Sequence, residues 1–459
     1  MTQHSLNKTE RKAAFSLASV FGIRMLGLFL IMPVLAVYAQ AYPDYSPLLV
    51  GVALGAYGLT QALLQIPLGM ASDRIGRKPI IIGGLVVFVL GSIVAALADS
   101  LVMVSVGRAL QGVGAIAAAI LALAADLSRD EQRPKVMAII GMCIGLAFAV
   151  SLVVGPLLGG VIGLSGLFWF TAATGVLGIV VLVMSVPKVV TTSARRESLP
   201  VASELKKLLK HKQLWCLNTG IFVLHAILTA WFVTIPTQLQ SAGFESQTHA
   251  WFYLPTLAAS VVLMVPMIIR SARNNSSVQW LRASIAILII SLATVFYAGE
   301  SAVWLVAALV VFFTGFNFIE ASLPSLLTRI APAGSKGSAS GIYSTSQFLG
   351  AFVGGVAGGW VLQNYQTSGI VIFCLILLLC WFVISFLMKN PESVTSLSVA
   401  TPNLTKDKAI RLSEQLLTIT GVKEARWVED DQATYLKVDK KAYDEKAVNE
   451  LLSALRTGE

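Results

Sequence analysis

The stretch Gly69-Met70-Ala71-Ser72-Asp73-Arg74-Ile75-Gly76-Arg77-Lys78-Pro79 packs three cations, one acid and two glycines into eleven residues. It separates two apolar runs centred near Leu59 and Phe88, each about the 20 residues a helix needs to cross the hydrocarbon core of a bilayer. A charged segment this short between two such runs reads as a tight turn between membrane helices, with cations marking one side of the membrane. An aspartate at the C-terminal end of the first helix opposes the helix dipole and needs compensation. Arg74, Arg77 and Lys78 are at hand for this, and so is the start of a later helix near Gly337 and Ser338.

Outward from this turn, apolar runs recur until there are twelve, centred near Leu28, Leu59, Phe88, Gly114, Ala149, Val176, Ala226, Ala258, Ala286, Phe312, Gly350 and Leu378. Composition agrees: of 459 residues, 56% are hydrophobic and 13% charged, about half the ~25% charge of an ordinary globular chain. Lipid is therefore the expected solvent. The first run is too long for a signal peptide and lacks a small-residue cleavage site, so it is read as a retained helix. Lys and Arg in the connecting segments fall on one side only, whereas the other side carries just Asp44, Asp99, Glu245 and Glu300. That partition predicts an even number of spans and a multi-pass plasma-membrane protein, in a bacterium an inner-membrane one, with both termini cytoplasmic.

The net charge of +10 resolves by region into 24 Lys and Arg against 13 Asp and Glu up to Ser393, and 10 against 11 beyond it. The excess belongs to membrane loops, and nucleic acid is not an expected partner. Cys143, Cys216, Cys374 and Cys380 lie in apolar stretches with no CxxC spacing, which argues against a disulfide framework or a zinc site. The longest polar interruption, Lys188 to Lys212, divides the runs six and six, as a duplicated unit would require. Its segment Ser203-Glu-Leu-Lys-Lys-Leu-Leu-Lys-His-Lys212 reads as an amphipathic helix lying on anionic lipid. The expected units are a six-helix half over 1-187, a cytoplasmic middle loop over 188-213, a second half over 214-390 and a soluble tail over 394-459.

The opening stretch resembles the signature loop of the major facilitator superfamily, G-x-x-x-D-R-x-G-R-R/K, at every defining position. Arg108-Ala-Leu-Gln111-Gly112-Val-Gly114-Ala115 is similar to a further motif of that family in the fourth helix. Gly155-Pro156-Leu-Leu-Gly159-Gly160 is similar to the proline-glycine motif of its antiporter branch, with Ser151 where that motif has an upstream glycine. The resemblance implies twelve helices in two halves, a proton-coupled drug antiporter, and a gating latch made of Gly69, Asp73, Arg74, Gly76, Arg77 and Lys78, with Asp126 a partner for Arg77 or Arg133. Small residues in the fifth helix also serve close packing, and the glycines of the eleventh (Gly350, Gly354, Gly355, Gly358, Gly359) repeat them in the equivalent position.

Apart from the loop motifs, the ionisable side chains well inside the spans are Arg24, Arg108, His225 and Glu320, on helices one, four, seven and ten. These are the first helices of the four three-helix blocks, so pseudo-symmetry lets them surround one midplane cavity. An intramembrane ionisable group is a functional hypothesis by default. Burial disfavours a charged carboxyl and a neighbouring cation favours it, so Glu320 can carry a proton one way while substrate moves the other. The competing reading is a static ion pair with Arg24. His225 is a second titrating group or a packed hydrogen-bonded one, and Arg24 binds an anionic group or neutralises Glu320. Tyr57, Gln61, Gln65, Gln111, Asn218, Trp231, Gln238, Asn317, Tyr343 and Gln347 can line the same cavity.

The tail reads as βαββα: strands near Thr395 to Ala400, Ala425 to Val428 and Tyr435 to Val438, and helices Lys406 to Thr418 and Tyr443 to Leu455. That order suits a ferredoxin-like domain, and Gly421-Val-Lys-Glu-Ala resembles a turn of heavy-metal-binding domains. The metal loop would fall at Thr401 to Thr405, which has no cysteine, so no metal or other cofactor is expected, and the tail is left a regulatory, dimerising, ligand-binding or loop-contacting role. The whole pattern resembles the drug/proton antiporter subgroup with a C-terminal ferredoxin-like domain. The expected partners are a small amphipathic substrate, protons and the bilayer. With Arg24 where exporters of cationic drugs carry an acid, neutral or anionic substrates are as suitable as cations. The alternatives are an importer or facilitator of a polar molecule, and a transporter-derived sensor signalling through its tail. No arrangement of nucleophile, base and oxyanion donors points to an enzyme.

Overall fold

In the computed structural model the described residues are 6–129, 132–187, 202–298, 301–391, 394–401, 404, 406–429, 432–439 and 442–457. Most of the middle loop, Glu300, the Asp430/Asp431 turn and Pro402, Asn403 and Thr405 of the tail loop lie outside them. The first span is α1 (Lys8–Phe29) and α2 (Met32–Tyr38), the second α3 (Pro47–Ile75), the third α4 (Arg77–Ala96). The fourth is α5 (Leu101–Val113) followed by α6 (Ala117–Asp126). A single helix, α7 (Arg133–Ser185), contains the fifth and sixth. Its 53 residues would run ~80 Å at 1.5 Å per residue, far beyond a ~30 Å hydrocarbon core. The backbone therefore leaves the helix at Gly163 (φ 67°), and the chain crosses back.

The second half repeats the plan. After a short α8 (Ala202–Lys210) come α9 (Lys212–Ser241), α10 (Ala250–Arg273), α11 (Ser277–Ala298) and α12 (Ala302–Ile330). The eleventh and twelfth spans share α13 (Lys336–Ser385), which breaks at Gln366 (φ 57°) at the position equivalent to Gly163. Glycine adopts this conformation freely, whereas a glutamine pays ~1–3 kcal/mol for it. Ten long apolar stretches are thus twelve spans among the described residues.

Helix α8 is amphipathic: Leu208 is buried and joins the core around Leu214 and Leu217 of α9, with Leu205 packed against it, whereas Leu209 is exposed. Helix α9 begins at once after His211, whose ring caps the new helix at Leu214 N–H.

The tail follows as β1 (Val394–Ala400), α14 (Lys406–Thr418), β2 (Val422–Val428), β3 (Ala433–Asp439) and α15 (Glu445–Thr457). The strands are antiparallel in the order β1-β3-β2, the arrangement a ferredoxin-like domain gives its first three strands. Leu412, Leu416, Val422, Leu436, Val438 and Val448 form its core.

The two halves meet where side chains are absent. A Cβ on Gly355 of α13 would lie 2.5 Å from the Gly51 carbonyl oxygen of α3, and one on Gly55 would lie 2.9 Å from the Phe352 carbonyl oxygen. Gly159 packs on Tyr38 and Gly160 on Gln247, across to the second half. All of these contacts lie towards the face away from the chain termini. On the fifth span towards the terminal face, Cβ atoms on Gly141 and Gly145 would meet nothing within 4 Å. The seam between α3 and α13 is tight at the face away from the termini and relaxes to ordinary contact towards the terminal one, where a Cβ on Gly341 would lie 3.7 Å from Ile66.

Candidate functional site

Three side chains from three helices converge at mid-span in the second half: His225 of α9, Glu320 of α12 and Gln347 of α13. The Gln347 amide donates to Glu320 Oε1 at 3.4 Å and lies 2.8 Å from His225 Nε2. His225 Nδ1 lies 3.3 Å from the Ile221 carbonyl oxygen, so both ring nitrogens have a partner. Glu320 Oε2 is 3.9 Å from His225 Nε2 and has no hydrogen-bond partner. The side chain as a whole is nonetheless 37% exposed, towards the space between the halves, while Oε2 itself is buried.

An aromatic band borders the same space. Phe148 of the first half lies 6.4 Å from Phe313 and 6.2 Å from Phe316 of the second, with Phe29 edge-on to it at 5.1 Å. Phe316 in turn neighbours the His225 ring at 6.2 Å. Trp231 is buried and stacked on Phe312 at 4.7 Å, so it supports the band from behind. These phenylalanines escape a sequence reading because a phenylalanine in an apolar run gives no sign of which way it faces. Asn317 is turned away and donates to Ser260 Oγ at 3.0 Å.

The first half has a different chemistry. Arg24 is fully buried; its Nη2 donates to Gln61 Oε1 and to the Gly114 carbonyl, both at 2.8 Å. That carbonyl is available because the fourth span is interrupted after Val113, and broken helices in membranes free backbone groups of this kind. Nε and Nη1 of Arg24 make no hydrogen bond; the guanidinium instead lies over Tyr57 at 5.6 Å and Phe88 at 5.8 Å. Arg108 lies over the Tyr57 ring at 5.5 Å, donates to Gln111 Oε1 at 2.8 Å and to the Ala53 carbonyl at 3.3 Å. Gln111 passes the chain on to Ser92 Oγ, and the Tyr57 hydroxyl donates to Gln61. The static pair of Arg24 with Glu320 is therefore not formed: each is engaged within its own half, Arg24 by a kinked-helix carbonyl and an amide, Glu320 by an amide and an imidazole.

At the terminal face the signature turn is built around Arg77. Its guanidinium pairs with Asp73, reaches Asp126 at 3.2 Å and donates to Ser72 Oγ at 2.7 Å, while Lys78 donates to the Val186 carbonyl. Gly76 has φ 110°, ψ 149°, a conformation essentially restricted to glycine, and Gly69 approaches Ala118 of α6. Arg74 is exposed. At the start of α13 the Ser338 hydroxyl is buried without a hydrogen-bond partner. Asp126 is joined to Arg77. A further clamp not foreseen from sequence ties the start of α1 to the segment before α7. Arg129 Nε and Nη2 hold Glu10 at 2.8 and 2.9 Å, while Glu10 and Asn7 form a capping box. In the glycine motif, Gly155 packs on the Leu30 carbonyl where α1 gives way to α2, with Pro156 in the following turn.

Two six-span halves closed at one face around a mid-membrane cluster of ionisable groups define a secondary transporter. The chain belongs to the Major Facilitator Superfamily, whose sequence pattern matches residues 17–355; it is a multi-pass membrane transporter and not an enzyme. It is 41% identical to the inner membrane transport protein YajR of Escherichia coli (strain K12), over 96% of this chain and 97% of that one. Among solved structures, a bacterial homologue of the human lysosomal transporter Spinster, inward-facing and occupied, superposes with a TM-score of 0.65 at 14% identity, covering 83% of this chain and 97% of that chain. The human organic anion transporter MFSD10 (TETRAN) does so with 0.61 at 16% identity, over 83% and 100%.

Proposed function

We propose that this chain is a proton-coupled antiporter that exports small amphipathic molecules by alternating access, with Glu320 as the coupling site. The terminal face, which carries the basic loops, is cytoplasmic on this reading. The seam, tight at the opposite face, opens as the halves 1-187 and 214-390 rock about the loop 188-213, while the tail 394-459 stays in the cytoplasm. The observation that carries the reading is the Glu320–Gln347–His225 cluster, a carboxylate side chain partly exposed towards the gap between the halves whose buried Oε2 has no hydrogen-bond partner.

While the gap is open, water reaches the exposed part of the Glu320 side chain, though not the buried Oε2. Closure removes the water, and an unpaired carboxylate in low dielectric costs several kcal/mol. The closed state therefore requires a proton on Glu320 or a substrate group paired with it. A proton arriving on Oε2 neutralises the carboxyl; on neighbouring His225 it makes an imidazolium paired with the carboxylate. Either way one proton replaces one substrate contact, which is the condition for exchange. The aromatic band of Phe29, Phe148, Phe313 and Phe316 supplies apolar contact for the amphipathic body. Two buried arginines, Arg24 and Arg108, whose hydrogen-bond acceptors are amides and backbone carbonyls, favour neutral or anionic cargo, in keeping with the organic-anion specificity in the name of one fold neighbour. In the signature turn, Asp73 and Arg77 act as the latch that regroups when the cytoplasmic side closes.

The test is reconstitution in liposomes with an imposed pH gradient, following uptake of neutral, anionic and cationic compounds by wild type and Glu320→Gln. Gradient-driven transport is expected to fall at least tenfold in the variant while substrate exchange without a gradient persists. Gradient-driven transport retained by Glu320→Gln would refute coupling at this residue.

A further inference from the structure

The soluble tail does not hang free of the membrane domain. Lys437 of β3, 4% exposed, donates to the Arg329 carbonyl at the end of α12 and to Glu424 Oε1 of β2. Glu424 Oε2 accepts from Ala333 N–H at 3.1 Å, and Gly334 nestles against Val428 and Tyr435. Arg426 donates to Ser335 Oγ at 2.7 Å. Ser335 is the N-cap residue of α13, yet its hydroxyl makes no cap bond to its own helix: the tail has engaged it instead.

This docking encloses a cleft of about 370 Å³, lined by Arg329 from α12, Lys389 after α13, and Lys423, Glu424 and Lys437 from the tail. Four cationic side chains from three separate segments line it with one carboxylate; Lys437 is held by Glu424, and Arg329 donates to Asn275 Oδ1 and the Pro391 carbonyl. A volume of this size is in the range of small-molecule sites, and Lys and Arg from both bodies are the donors that recognise phosphate. The described lining carries more cations than acids, which favours an anion there. We propose that the cleft is a binding site for a phosphate-bearing anion, either a soluble phosphorylated compound or the headgroup of a lipid at the same face. Such a ligand contacts both bodies and binds the docked arrangement better than the undocked one, so by linkage it holds the tail in place. The tail in turn holds the start of α13, one of the two helices in the glycine seam. The site is separate from the Glu320 cluster and does not depend on proton coupling.

The experiment uses the full-length protein in nanodiscs of phosphatidylcholine, with inorganic pyrophosphate as the soluble probe, and in discs containing phosphatidylglycerol as the lipid probe. Hydrogen exchange of residues 329–336 and 422–439 reports docking. The variant is Lys389→Gln with Lys423→Gln, two exposed positions whose replacement leaves the folded core intact; Lys→Arg at both is the control. Saturable pyrophosphate binding that slows exchange in both segments, weakened at least tenfold by the Gln pair and restored by the Arg pair, supports a soluble ligand. Slowed exchange seen only with phosphatidylglycerol and lost in the Gln pair supports a lipid headgroup. Binding that leaves both segments unprotected, a Gln pair that behaves as wild type, or no response to either probe would overturn the proposal.

Discussion

If the halves rock about the seam between α3 and α13, a methyl group placed in it should act on one conformation only. In Gly355→Ala the new Cβ lies 2.5 Å from the Gly51 carbonyl oxygen and 3.1 Å from the Gly55 nitrogen, both in the opposite half. Ordinary contact begins near 3.4 Å, so the helices must separate by about 0.9 Å or distort. Overpacking of this kind costs ~1–3 kcal/mol. The cost falls on the conformation shut at this face and is relieved when the face opens, which corresponds to a ~5–150-fold shift toward the alternative state. Gly354→Ala is the matched control. Its Cβ meets the backbone of Ala226, in α9 of the same half, so it strains both conformations alike and should lower stability without moving the equilibrium. With the four native cysteines (Cys143, Cys216, Cys374 and Cys380) replaced, spin labels at Asp99 and Asn364, near the closed ends of the two halves, report the separation. Gly355→Ala should populate a longer distance that is minor in the parent and in Gly354→Ala. Identical distance distributions for the two alanine variants would refute the seam as the moving interface.

Other outcomes follow from single features. Gly76→Ala forces a methyl onto φ 110° and should destabilise by ~1–3 kcal/mol, whereas Gly83→Ala in α4, with nothing within 4 Å, should be neutral or slightly stabilising; thermal melting in detergent separates them. Arg77→Ala removes the partner of Asp73 at a helix end and is expected to cost ~1–3 kcal/mol, against ~0–1 for Asp126→Asn, which breaks one partly exposed pair; equal shifts in melting temperature would contradict the arginine-centred turn. Asp44 accepts the free N–H groups of Leu101 and Val102 at the start of α5, and the Leu101 bond chiefly lowers its carboxyl below the usual 3.8. A lowered carboxyl contributes stability above its unfolded value and loses it as pH falls through the folded one. The stability gap between wild type and Asp44→Asn should therefore narrow below about pH 4, and a pH-independent gap would exclude the charge as its source.

The parts of this molecule that are legible in the sequence are those set by local chemistry. The span count follows from apolar runs against a fixed bilayer thickness, and the signature turn from an acid and three cations around a glycine that only one backbone conformation explains. The tail's strand and helix order follows from its alternation of apolar residues. Partner choice is not local, and there the reading strays. Arg24 reads as a counter-ion for Glu320 because both are ionisable and mid-span. Its actual acceptors are Gln61 and the Gly114 carbonyl, and the second exists only because the fourth span breaks beside it. No residue pattern distinguishes Phe148 and Phe316 from lipid-facing phenylalanines, nor marks Arg426 as the donor to Ser335.

The same comparison exposes an asymmetry between the halves that bears on coupling. Arg24 and Arg108 flank Tyr57 in a network of amides and carbonyls, and neither arginine can lose its proton usefully. The first half therefore presents a charge that stays constant through the cycle. In the second half, Glu320 and His225 are groups whose charge can change, joined through one amide. A transporter whose halves meet around a cavity then combines a constant positive potential on one wall with a variable charge on the other. On the antiport reading proposed above, an ionised Glu320 accepts from a donor group of the cargo, and a proton on the carboxyl removes that acceptor, so proton and cargo exclude one another at this wall. The arginine wall does not change with the proton, so the exchange step belongs to the second half alone, and exchanging the walls' chemistry (Arg24→Gln against Glu320→Gln) should alter cargo affinity in the first case and gradient coupling in the second.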